Sequence, residues 1–296
     1  MTTTGGPSAE LRIISARRSI PNHLREIWAF RELLGSLIRK ELKVRYKNSA
    51  LGFVWSMVQP VFLLVIYGVA FSILGQGFRD FPVWLMSGLV VWTLVNTTLV
   101  TSVQAITINA TLVGKVNFPR AVLPLATLGS ALVHFCLQFT TFFGVLLIAR
   151  HHVDVAYLWL LPLAIIALSL FLAALVLVLS IFNVFARDTQ HLLELALIAF
   201  FWALPIIYEY QRVTKWLTAR HIPTWLPLLN PITSIIITFQ RALYGSASVG
   251  TRLLLPDTSA WWYLRNIGII AGVSLVLLAL ALRFFDRNEG NLAEMI

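Results

Sequence analysis

The sequence predicts an all-α integral membrane protein with six transmembrane helices, and three observations support this fold class. The 296 residues are 58% hydrophobic and only 12% charged, with a mean hydropathy of +0.80, which leaves too little polar material to cover a water-soluble core. Apolar stretches of about 20 residues, the length a helix needs to cross the ~30 Å hydrocarbon core, recur along the sequence. The ~10-residue alternating segments of a transmembrane β-barrel are absent. In lipid, every backbone hydrogen bond must be satisfied within the protein, which only helices and closed barrels achieve. Without the barrel pattern, the spans are predicted to be helices.

Basic residues are concentrated near the start of the chain. Ten of the 23 Lys and Arg residues precede Gly52, just before the first long apolar stretch, and the net charge is +10. A basic cluster in this position is typical of a cytoplasmic anchor facing anionic headgroups, so the expected partner is membrane lipid and not nucleic acid. The single cysteine, Cys136, lies in an apolar stretch, which excludes a disulfide framework and a cysteine metal site.

The chain before the first span divides into a tail and an amphipathic helix. Residues 1–20 are rich in Gly, Ser, Thr and Arg and predict a cytoplasmic tail, whereas 21–52 predict an interfacial helix followed by a hinge. From Pro21 to Lys47 charged residues follow one helical face: Arg25, Glu32, Arg39 and Lys43. Apolar residues occupy the opposite arc: Ile27, Phe30, Leu34, Leu37 and Ile38. This pattern favours a helix lying in the membrane interface.

Residues 53–296 predict one transmembrane domain. The expected spans are Phe53–Leu74, Val83–Ile108, Ala121–Ile148, Leu158–Phe185, Leu192–Tyr208 and Leu264–Phe284. Gln59-Pro60 predicts a kink in the first span, because proline removes a helix hydrogen bond. Basic residues flank the loops on the side of the N-terminus more often than the short loops on the other side, which predicts that both termini are cytoplasmic.

The long outer segment between the last two spans is not a plain loop. Its stretch 222–244 is mostly apolar, but Pro223, Pro227 and Pro231 divide it into pieces too short to span a membrane. Irregular backbone is tolerated at membrane depth only where protein or a water-filled cavity supports it. The sequence therefore predicts two short broken helices that dip into, or cap, the outer leaflet.

Catalytic and metal-binding patterns are missing from the sequence. Five of the predicted spans contain no Asp or Glu, and the exception is Glu194 at the cytoplasmic start of the fifth. His134, with Gln138 one turn further on, favours a packing hydrogen bond over a proton relay. The sequence His151-His152 with Asp154 favours a solvated turn over a metal site, since no further ligand follows nearby.

The phosphate-binding loop pattern of Gly, four residues, then Gly-Lys-Ser/Thr is also not met. The one Gly-Lys pair, Gly114-Lys115, has Asn109 where the first glycine belongs and Val116 after the lysine. Any ATP-driven role therefore requires a second polypeptide.

Several motifs in chain order carry a family resemblance. Residues 39–60 (RKELKVRYKNSALGFVWSMVQP) hold an Arg-Tyr, a Leu-Gly, a Trp and a Gln-Pro after the basic helix, and 109–124 (NATLVGKVNFPRAVLP) hold Phe-Pro-Arg and Leu-Pro. Further matches are 185–190 (FARDTQ), the Leu-Asn-Pro at 229–231 and the acidic, apolar tail from 284 to 296. Together they resemble the permease subunit of type-2 ATP-binding-cassette exporters of lipid-linked polysaccharide, such as O-antigen, teichoic acid or mycobacterial galactan.

The resemblance implies a homodimer bound to two copies of a cytoplasmic ABC ATPase in the bacterial cytoplasmic membrane. ATP and Mg²⁺ would be bound by the ATPase, so no cofactor is expected on this chain. A lipid-linked polysaccharide would pass along the dimer interface.

The resemblance and the residue types assign four groups of site residues, none of them catalytic or metal-binding. The ATPase-coupling residues are Lys40, Lys43, Arg45, Lys47, Gly114, Lys115, Phe118, Pro119 and Arg120. The hinge or gate residues are Asn48, Leu51, Gly52, Gln59 and Pro60. The translocation path, by analogy with the family's pore helices, is Trp55, Phe62, Phe71, Phe200, Phe201 and Trp202. The outer gate is Trp225, Asn230, Pro231 and Arg241.

Alternatives stay open for each group and for the function. Lys115 and Arg120 also satisfy the positive-inside rule, and the 40–47 segment also suits lipid headgroups. The aromatic residues also suit lipid contact, and the outer helices also suit a structural lid that fixes the dimer. The small residues from Asn48 to Gly52 also suit a plain linker between two helices. Two other functions compete, a proton- or ion-coupled flippase and an integral membrane glycosyl- or acyltransferase. A coupled flippase would need carboxylates inside the membrane, which the interior of the predicted spans lacks. A transferase would need catalytic residues, and the candidates are only Asp188, His191 and Glu194.

Overall fold

A computed structural model describes residues 20–45, 47, 54–73, 80–148 and 150–295. The helices are α1 Ile20–Ala29, α2 Arg31–Arg45, α3 Trp55–Ile73, α4 Phe81–Val103, α5 Ala105–Ile108, α6 Ala110–Lys115, α7 Val122–Ile148, α8 Val155–Leu158, α9 Leu160–Phe185, α10 Thr189–Ala203, α11 Tyr210–Thr218, α12 Pro231–Tyr244 and α13 Ala260–Met295. A 3₁₀ turn covers Leu226–Leu229, and β1 Ser248–Val249 pairs antiparallel with β2 Arg252–Leu253. The predicted tail, apart from Ile20, and the hinge residues Asn48, Leu51 and Gly52 lie outside the described residues.

The all-α membrane class is confirmed. Among the residues that the structure describes, four stretches are long and apolar enough to cross a membrane: Phe81–Val103, Val122–Ile148, Val155–Phe185 and Ala260–Gly290. They correspond to the predicted second, third, fourth and sixth spans. The predicted first and fifth spans form the shorter apolar helices α3 and α10.

The boundaries predicted for the fifth span, Leu192–Tyr208, are wrong. The helix begins at Thr189 and ends at Ala203, a length of 15 residues or about 22 Å. It ends there because Leu204 precedes a proline and is therefore driven to an extended conformation. The carbonyl oxygen of Pro205 then accepts a 2.9 Å hydrogen bond from the buried Nε2 of Gln240, which ties this break to α12.

A large core fills one end and the middle of the fold. Most of α4, the part of α7 from Leu128 onward and the part of α9 up to Val176 contribute side chains to it, together with α12 and the start of α13. Trp84 is fully buried there and meets the ring of Tyr244 edge-on at 5.6 Å. Gly88 allows the chain near Ile206 to approach α4, since a Cβ at this glycine would lie 3.3 Å from the Cγ2 of Ile206.

A small core occupies the opposite end. It is formed by apolar side chains from α2, α5, α6, the start of α7 and the ends of α9 and α13. Phe118 and Phe285 lie near its centre, and the rings of Phe182 and Phe284 pack 5.7 Å apart beside it. The small core therefore joins the amphipathic N-terminal region to three of the long helices.

The amphipathic region forms two helices instead of the single predicted one. A turn at Phe30 separates α1 from α2, and the predicted apolar arc faces the small core while Arg25, Glu32, Arg39 and Lys43 are exposed. The α2 helix lies directly on α7, because Gly129 leaves space for the Cδ1 of Ile38. A Cβ at position 129 would lie only 2.5 Å from that methyl group. The α2 helix is thus anchored by protein contacts as well as being amphipathic.

The outer segment differs in detail from the two broken helices predicted within 222–244. That stretch contains the 3₁₀ turn and one helix, α12, whereas the second short helix, α11, comes earlier. Pro231 fits the first turn of α12, where its missing N–H costs nothing, and Pro227 lies in the 3₁₀ turn. Most of α12 is buried in the large core, and the helix ends at Gly245 with φ +79°, where a Cβ would collide with the carbonyl oxygen of His152.

Candidate functional site

The loop that joins α4 to α7 combines an anchored base with an exposed tip. Gly114, Lys115 and Val116 are exposed at its tip, whereas Phe118 and Pro119 are buried. Phe118 inserts into the small core, so the tip cannot move without disturbing apolar packing. Of the five predicted coupling residues in this loop, Gly114 and Lys115 are thus exposed for contact, Phe118 and Pro119 are buried, and Arg120 is partly buried.

The first end of this loop is bonded to α2. The Nζ of Lys40 donates a 2.8 Å hydrogen bond to the Oδ1 of Asn109, the residue between α5 and α6. Asn109 is buried, and its Nδ2 donates to the carbonyl oxygen of Ala105 at 2.8 Å. A charge-assisted bond of this kind is stronger than one between neutral groups. Two predicted coupling segments, the end of α2 and the loop, therefore form one unit.

The second end of the loop is bonded to α13. The backbone N–H of Arg120 donates a 2.9 Å hydrogen bond to the Oε1 of Glu289, and the Nη1 of Arg120 donates to the carbonyl oxygen of Glu289. Arg120 is therefore held in place, whereas Lys115 is exposed. The predicted pair of charges at the two ends of the loop thus consists of one accessible cation and one fixed cation.

Exposed basic residues lie at the tip of this loop and along the end of α2. Lys43, Arg45 and Lys47 are exposed along the end of α2, and the bond between Lys40 and Asn109 brings this part of α2 to the loop. We call the exposed residues Lys43, Arg45, Lys47, Gly114 and Lys115 the basic surface. Both an acidic protein face and a layer of lipid phosphates would match its charge.

Two apolar helices present uncovered faces elsewhere in the monomer. Val58, Val61, Val65 and Val69 are exposed on α3, and Leu192, Leu195 and Ile198 are exposed on α10. Pro60 is buried, so the face of α3 that holds the predicted kink is turned toward the protein. Contiguous apolar faces of this kind are covered by lipid or by another protein.

The predicted path residues lie on these two helices in differing environments. Trp55 and Phe62 are 51% and 63% exposed on α3. Phe200 and Trp202 are exposed on α10, while Phe201 is half-buried with its ring 5.6 Å from that of Trp92. The side chains of Gln59 and Phe71 lie outside the described part of the structure.

The predicted outer-gate residues perform structural tasks in α12. Asn230 caps the helix by accepting a 3.1 Å hydrogen bond from the N–H of Ile232, and Pro231 occupies the first helical position. Arg241 donates from Nη1 to the Oδ2 of Asp154 at 2.7 Å. Its guanidinium also lies 4.0 Å from the centre of the Tyr157 ring. Trp225 is exposed beside the 3₁₀ turn.

The turn that was predicted to be solvated, at His151 and Asp154, is instead held by specific contacts. Nε2 of His151 lies 3.2 Å from the carbonyl oxygen of Tyr244, and Nδ1 lies 3.6 Å from a carboxylate oxygen of Asp80. Asp154 caps α8 through the N–H of Ala156 in addition to its bond with Arg241. This loop is therefore a joint between α4, α7, α8 and α12.

A buried carboxylate lies at the entry to α11. Glu209 is 6% exposed and pairs with Arg252 at 2.5 Å and with Arg212 at 3.4 Å. The adjacent Tyr210 donates from its hydroxyl to the carbonyl oxygen of Thr224 at 3.3 Å, and burial raises the pKa of Tyr210 to about 12. These bonds join the start of α11 to the hairpin and to the chain before the 3₁₀ turn.

Several of the residues that fix the site were not identified from the sequence. Asp154, Glu209 and Glu289 hold arginines, and Asn109 holds a lysine. The sequence shows that these residues are acidic or carry an amide. No local sequence pattern, however, identifies the distant residue that each of them bonds. Within the part of the chain that the structure describes, no three His, Cys, Asp or Glu residues lie close enough to hold a metal ion.

Comparison with known proteins gives consistent relationships over nearly the whole chain. The model of the ABC-2 type transporter family matches residues 32–244. An "O-antigen export system permease protein RfbA" from Myxococcus xanthus is 30% identical over 274 residues, which cover 92% of this chain and 98% of that protein. Two proteins of the same name from Klebsiella pneumoniae are 25% and 26% identical over 266 residues, covering 90% of this chain and 95% of theirs.

Proposed function

Since this chain belongs to the ABC-2 type transporter family, we propose that it is the membrane subunit of an ATP-driven exporter that moves a lipid-linked polysaccharide across the bacterial cytoplasmic membrane. A separate ATPase subunit hydrolyses the ATP. The observation that carries this proposal is the near full-length similarity to proteins named as O-antigen export permeases. The chain itself is a permease and not an enzyme, and ATP and Mg²⁺ are bound by the partner.

The proposed topology has six spans with both termini in the cytoplasm. In this topology α3, α4, α7, α9, α10 and α13 cross in turn, so α9 and α13 run in the same direction. The shared burial of their starts in the large core and of their ends in the small core supports this arrangement. The 15-residue α10 reaches across most of the ~30 Å hydrocarbon core. The small core and the basic surface then lie on the cytoplasmic side, as the basic residues of α2 favour.

The basic surface is the proposed seat for the ATPase. Lys115 projects from a loop that is anchored by Phe118, by the bond between Lys40 and Asn109 and by the bonds between Arg120 and Glu289. A loop fixed at three points transmits a push to the helices instead of absorbing it by local bending. Lys43, Arg45 and Lys47 extend the contact along α2 and also suit anionic headgroups at its edge.

The uncovered faces of α3 and α10 are the proposed contact with a second copy of the chain and the wall of the path. Sugars have apolar ring faces, so exposed aromatic residues on these helices offer a surface along which a glycan slides with little directional binding. Trp55, Phe62, Phe200 and Trp202 have the required exposure, with Phe201 partly covered behind them. Two such chains and two ATPases form the proposed assembly.

The outer segment is proposed to close the exit of the path, and residues Asn48, Leu51, Gly52, Gln59 and Pro60 are proposed to act as a hinge. The buried bonds of Asn230 and Arg241 make α12 a rigid element, so gating by this segment would involve movement of α12 as a body. The exposed Trp225 beside the 3₁₀ turn is the outer-gate residue available for contact with a glycan.

A complementation experiment tests the proposed function. A strain that lacks this chain is expected to lose surface polysaccharide and to accumulate lipid-linked polysaccharide on the cytoplasmic side, and the wild-type gene should restore export. Full export in the deletion strain would contradict the proposal.

Alanine substitution in the same strain tests the aromatic path. Trp55→Ala, Phe62→Ala, Phe200→Ala and Trp202→Ala, singly and combined, are expected to lower export severalfold at unchanged expression, because the sliding surface is lost. Trp261→Ala is the matched control, since this tryptophan is 76% exposed but lies on α13. Export that survives the combined variant would refute the assignment of these residues.

A further inference from the structure

We propose that Glu289 is a positioning residue that locks the loop between α4 and α7 onto α13, so that movement of the loop is passed to α13 as well as to α7; this inference rests on the proposed function. Glu289 lies near the end of α13, in the tail from 284 to 296 that is the last of the motifs carrying the family resemblance. Its role follows from bonds to a residue 169 positions earlier in the chain.

The contact between Glu289 and Arg120 is reciprocal. The side-chain Oε1 of Glu289 accepts from the backbone N–H of Arg120, and the carbonyl oxygen of Glu289 accepts from the guanidinium of Arg120. Each residue therefore contributes one backbone and one side-chain group. A pair of bonds with this geometry fixes orientation as well as distance, which a single exposed ion pair does not.

The position of Arg120 explains what the carboxylate achieves. Arg120 lies two residues before α7 begins at Val122, and its carbonyl oxygen accepts a 3.1 Å hydrogen bond from the N–H of Leu123 in the first turn of that helix. The Glu289 carboxylate accepts from the N–H of Arg120 and places a negative charge near this helix start, where such a charge is favourable. The bond thus ties the residue that leads into α7 to the last turns of α13.

The α13 helix is suited to carry a displacement over a long distance. It runs from Ala260 to Met295, 36 residues or about 54 Å, which exceeds the ~30 Å hydrocarbon core. Leu282 and Phe285 fix its Glu289 end in the small core. At the other end, the hydroxyl of Tyr263 donates to the carbonyl oxygen of Pro256 at 2.8 Å.

That far end of α13 touches the residues that hold α12. The ring of Tyr263 meets the ring of Tyr157 edge-on at 5.6 Å, and Tyr157 lies beneath the guanidinium of Arg241. A continuous helix therefore connects the loop at one end of the fold to the support of α12 at the other. The bond between Lys40 and Asn109 provides no such connection, because α2 does not extend beyond the small core.

Spin labelling of the full-length chain tests the lock without any partner. Val116 is exposed at the loop tip, and a nitroxide is attached to Val116→Cys in a Cys136→Ala background reconstituted in lipid nanodiscs. Glu289→Ala is expected to shorten the rotational correlation time of the label, because the acceptor for the N–H of Arg120 is lost. Glu289→Gln keeps an Oε1 acceptor and should remain close to wild type. Arg287→Ala, an exposed neighbour on α13, is the control.

Export by the complete complex provides the second readout. Glu289→Ala is expected to purify with the ATPase at the wild-type level and to lose export severalfold, with rescue in Glu289→Gln. If Glu289→Ala is not recovered folded, Glu289→Asn replaces it, since its amide is one methylene too short to reach Arg120. Unchanged label mobility, or unchanged export with a mobile loop, would overturn the proposal. A wild-type complex without ATP-dependent export would refute the proposed function instead, and the spin-label comparison would still test the lock.

Discussion

Reversing the charges of Lys115 and Arg120 to glutamate is expected to lower the affinity of the chain for its ATPase by tenfold or more. The physical reason is that like charges placed against each other across an interface cost several kcal/mol, and about 1.4 kcal/mol corresponds to a factor of ten. Lys115 is exposed at the tip of the loop, which is the part that would enter the ATPase surface. Membrane insertion should be unchanged, since neither residue lies within a long apolar helix.

Single variants separate the two charges in this prediction. Lys115→Glu should reduce ATPase binding while the thermal stability of the permease stays the same, because Lys115 is exposed. Arg120→Glu should reduce both, because it also removes the guanidinium bond to Glu289. Lys215→Glu is the matched control, an exposed lysine on α11 toward the opposite end of the fold.

The measurement is pull-down of the ATPase with the detergent-solubilised permease, together with the rate of ATP hydrolysis by the complex. Wild-type levels of both in the double variant would show that the loop does not contact the ATPase. The basic residues of the loop would then retain only their role in setting the orientation of the chain.

Substitution of Gly129 by leucine is expected to displace α2 from α7 and to abolish most of the export. The backbone at Gly129 lies so close to Ile38 that even a Cβ would approach its Cδ1 to 2.5 Å. A larger side chain forces off-rotamer packing that costs about 1–3 kcal/mol, and movement of α2 relieves it. Since Lys40 on α2 holds Asn109 at the loop, the displacement should also loosen the loop.

A compensating substitution makes this prediction specific to the contact. Ile38→Ala combined with Gly129→Leu should recover stability and export in part, because the shortened side chain makes room for the leucine. Gly144→Leu is the control on the same helix, where nothing lies within 4 Å of the position of a Cβ. Thermal unfolding and surface polysaccharide are measured for each variant. A Gly129→Leu protein with both at wild-type values would contradict the structural role assigned to α2.

Much of the fold follows from local sequence signals. The predicted third and fourth spans agree with the structure to within a few residues at both ends, since about 20 consecutive apolar residues have few other solutions. The predicted second and sixth spans are in the right places, but the second runs past Val103 to Ile108 and the sixth stops at Phe284, short of Gly290. The amphipathic arc of α2 was also predicted, and its members face the small core. The break at Phe30 was not predicted, because the apolar pattern continues through it.

The errors occurred where tertiary contacts replace local preference. The fifth span was extended through Pro205 because residues 204–208 are mostly apolar, but these residues turn toward Gln240 and Gly88 instead of continuing the helix. The second outer helix was placed too late for a similar reason. The prediction followed apolar content, which identifies the buried helix α12 but not the amphipathic α11. The α11 helix begins directly after Glu209, a buried acid with two arginine partners.

The bonds that define the candidate site were beyond the reach of a single sequence. Lys40 and Asn109 are 69 positions apart, Asp154 and Arg241 are 87 apart, and Arg120 and Glu289 are 169 apart. Charge and residue type indicated that each of these groups was unusual for an apolar chain. Only the packing of α2, α7, α12 and α13 brings the pairs together.

The most direct test of the account is reconstitution of the permease with the proposed ATPase subunit, for which the candidate is a protein of the same bacterium that carries the phosphate-binding loop. The two proteins are co-expressed, purified as a complex and placed in nanodiscs with lipid-linked polysaccharide from the host bacterium. A stable complex whose ATP hydrolysis rises when the lipid-linked polysaccharide is added, and does not rise in the Lys115→Glu, Arg120→Glu variant, is the predicted result. A permease that binds no ATPase, or a complex whose hydrolysis ignores the polysaccharide, would contradict it.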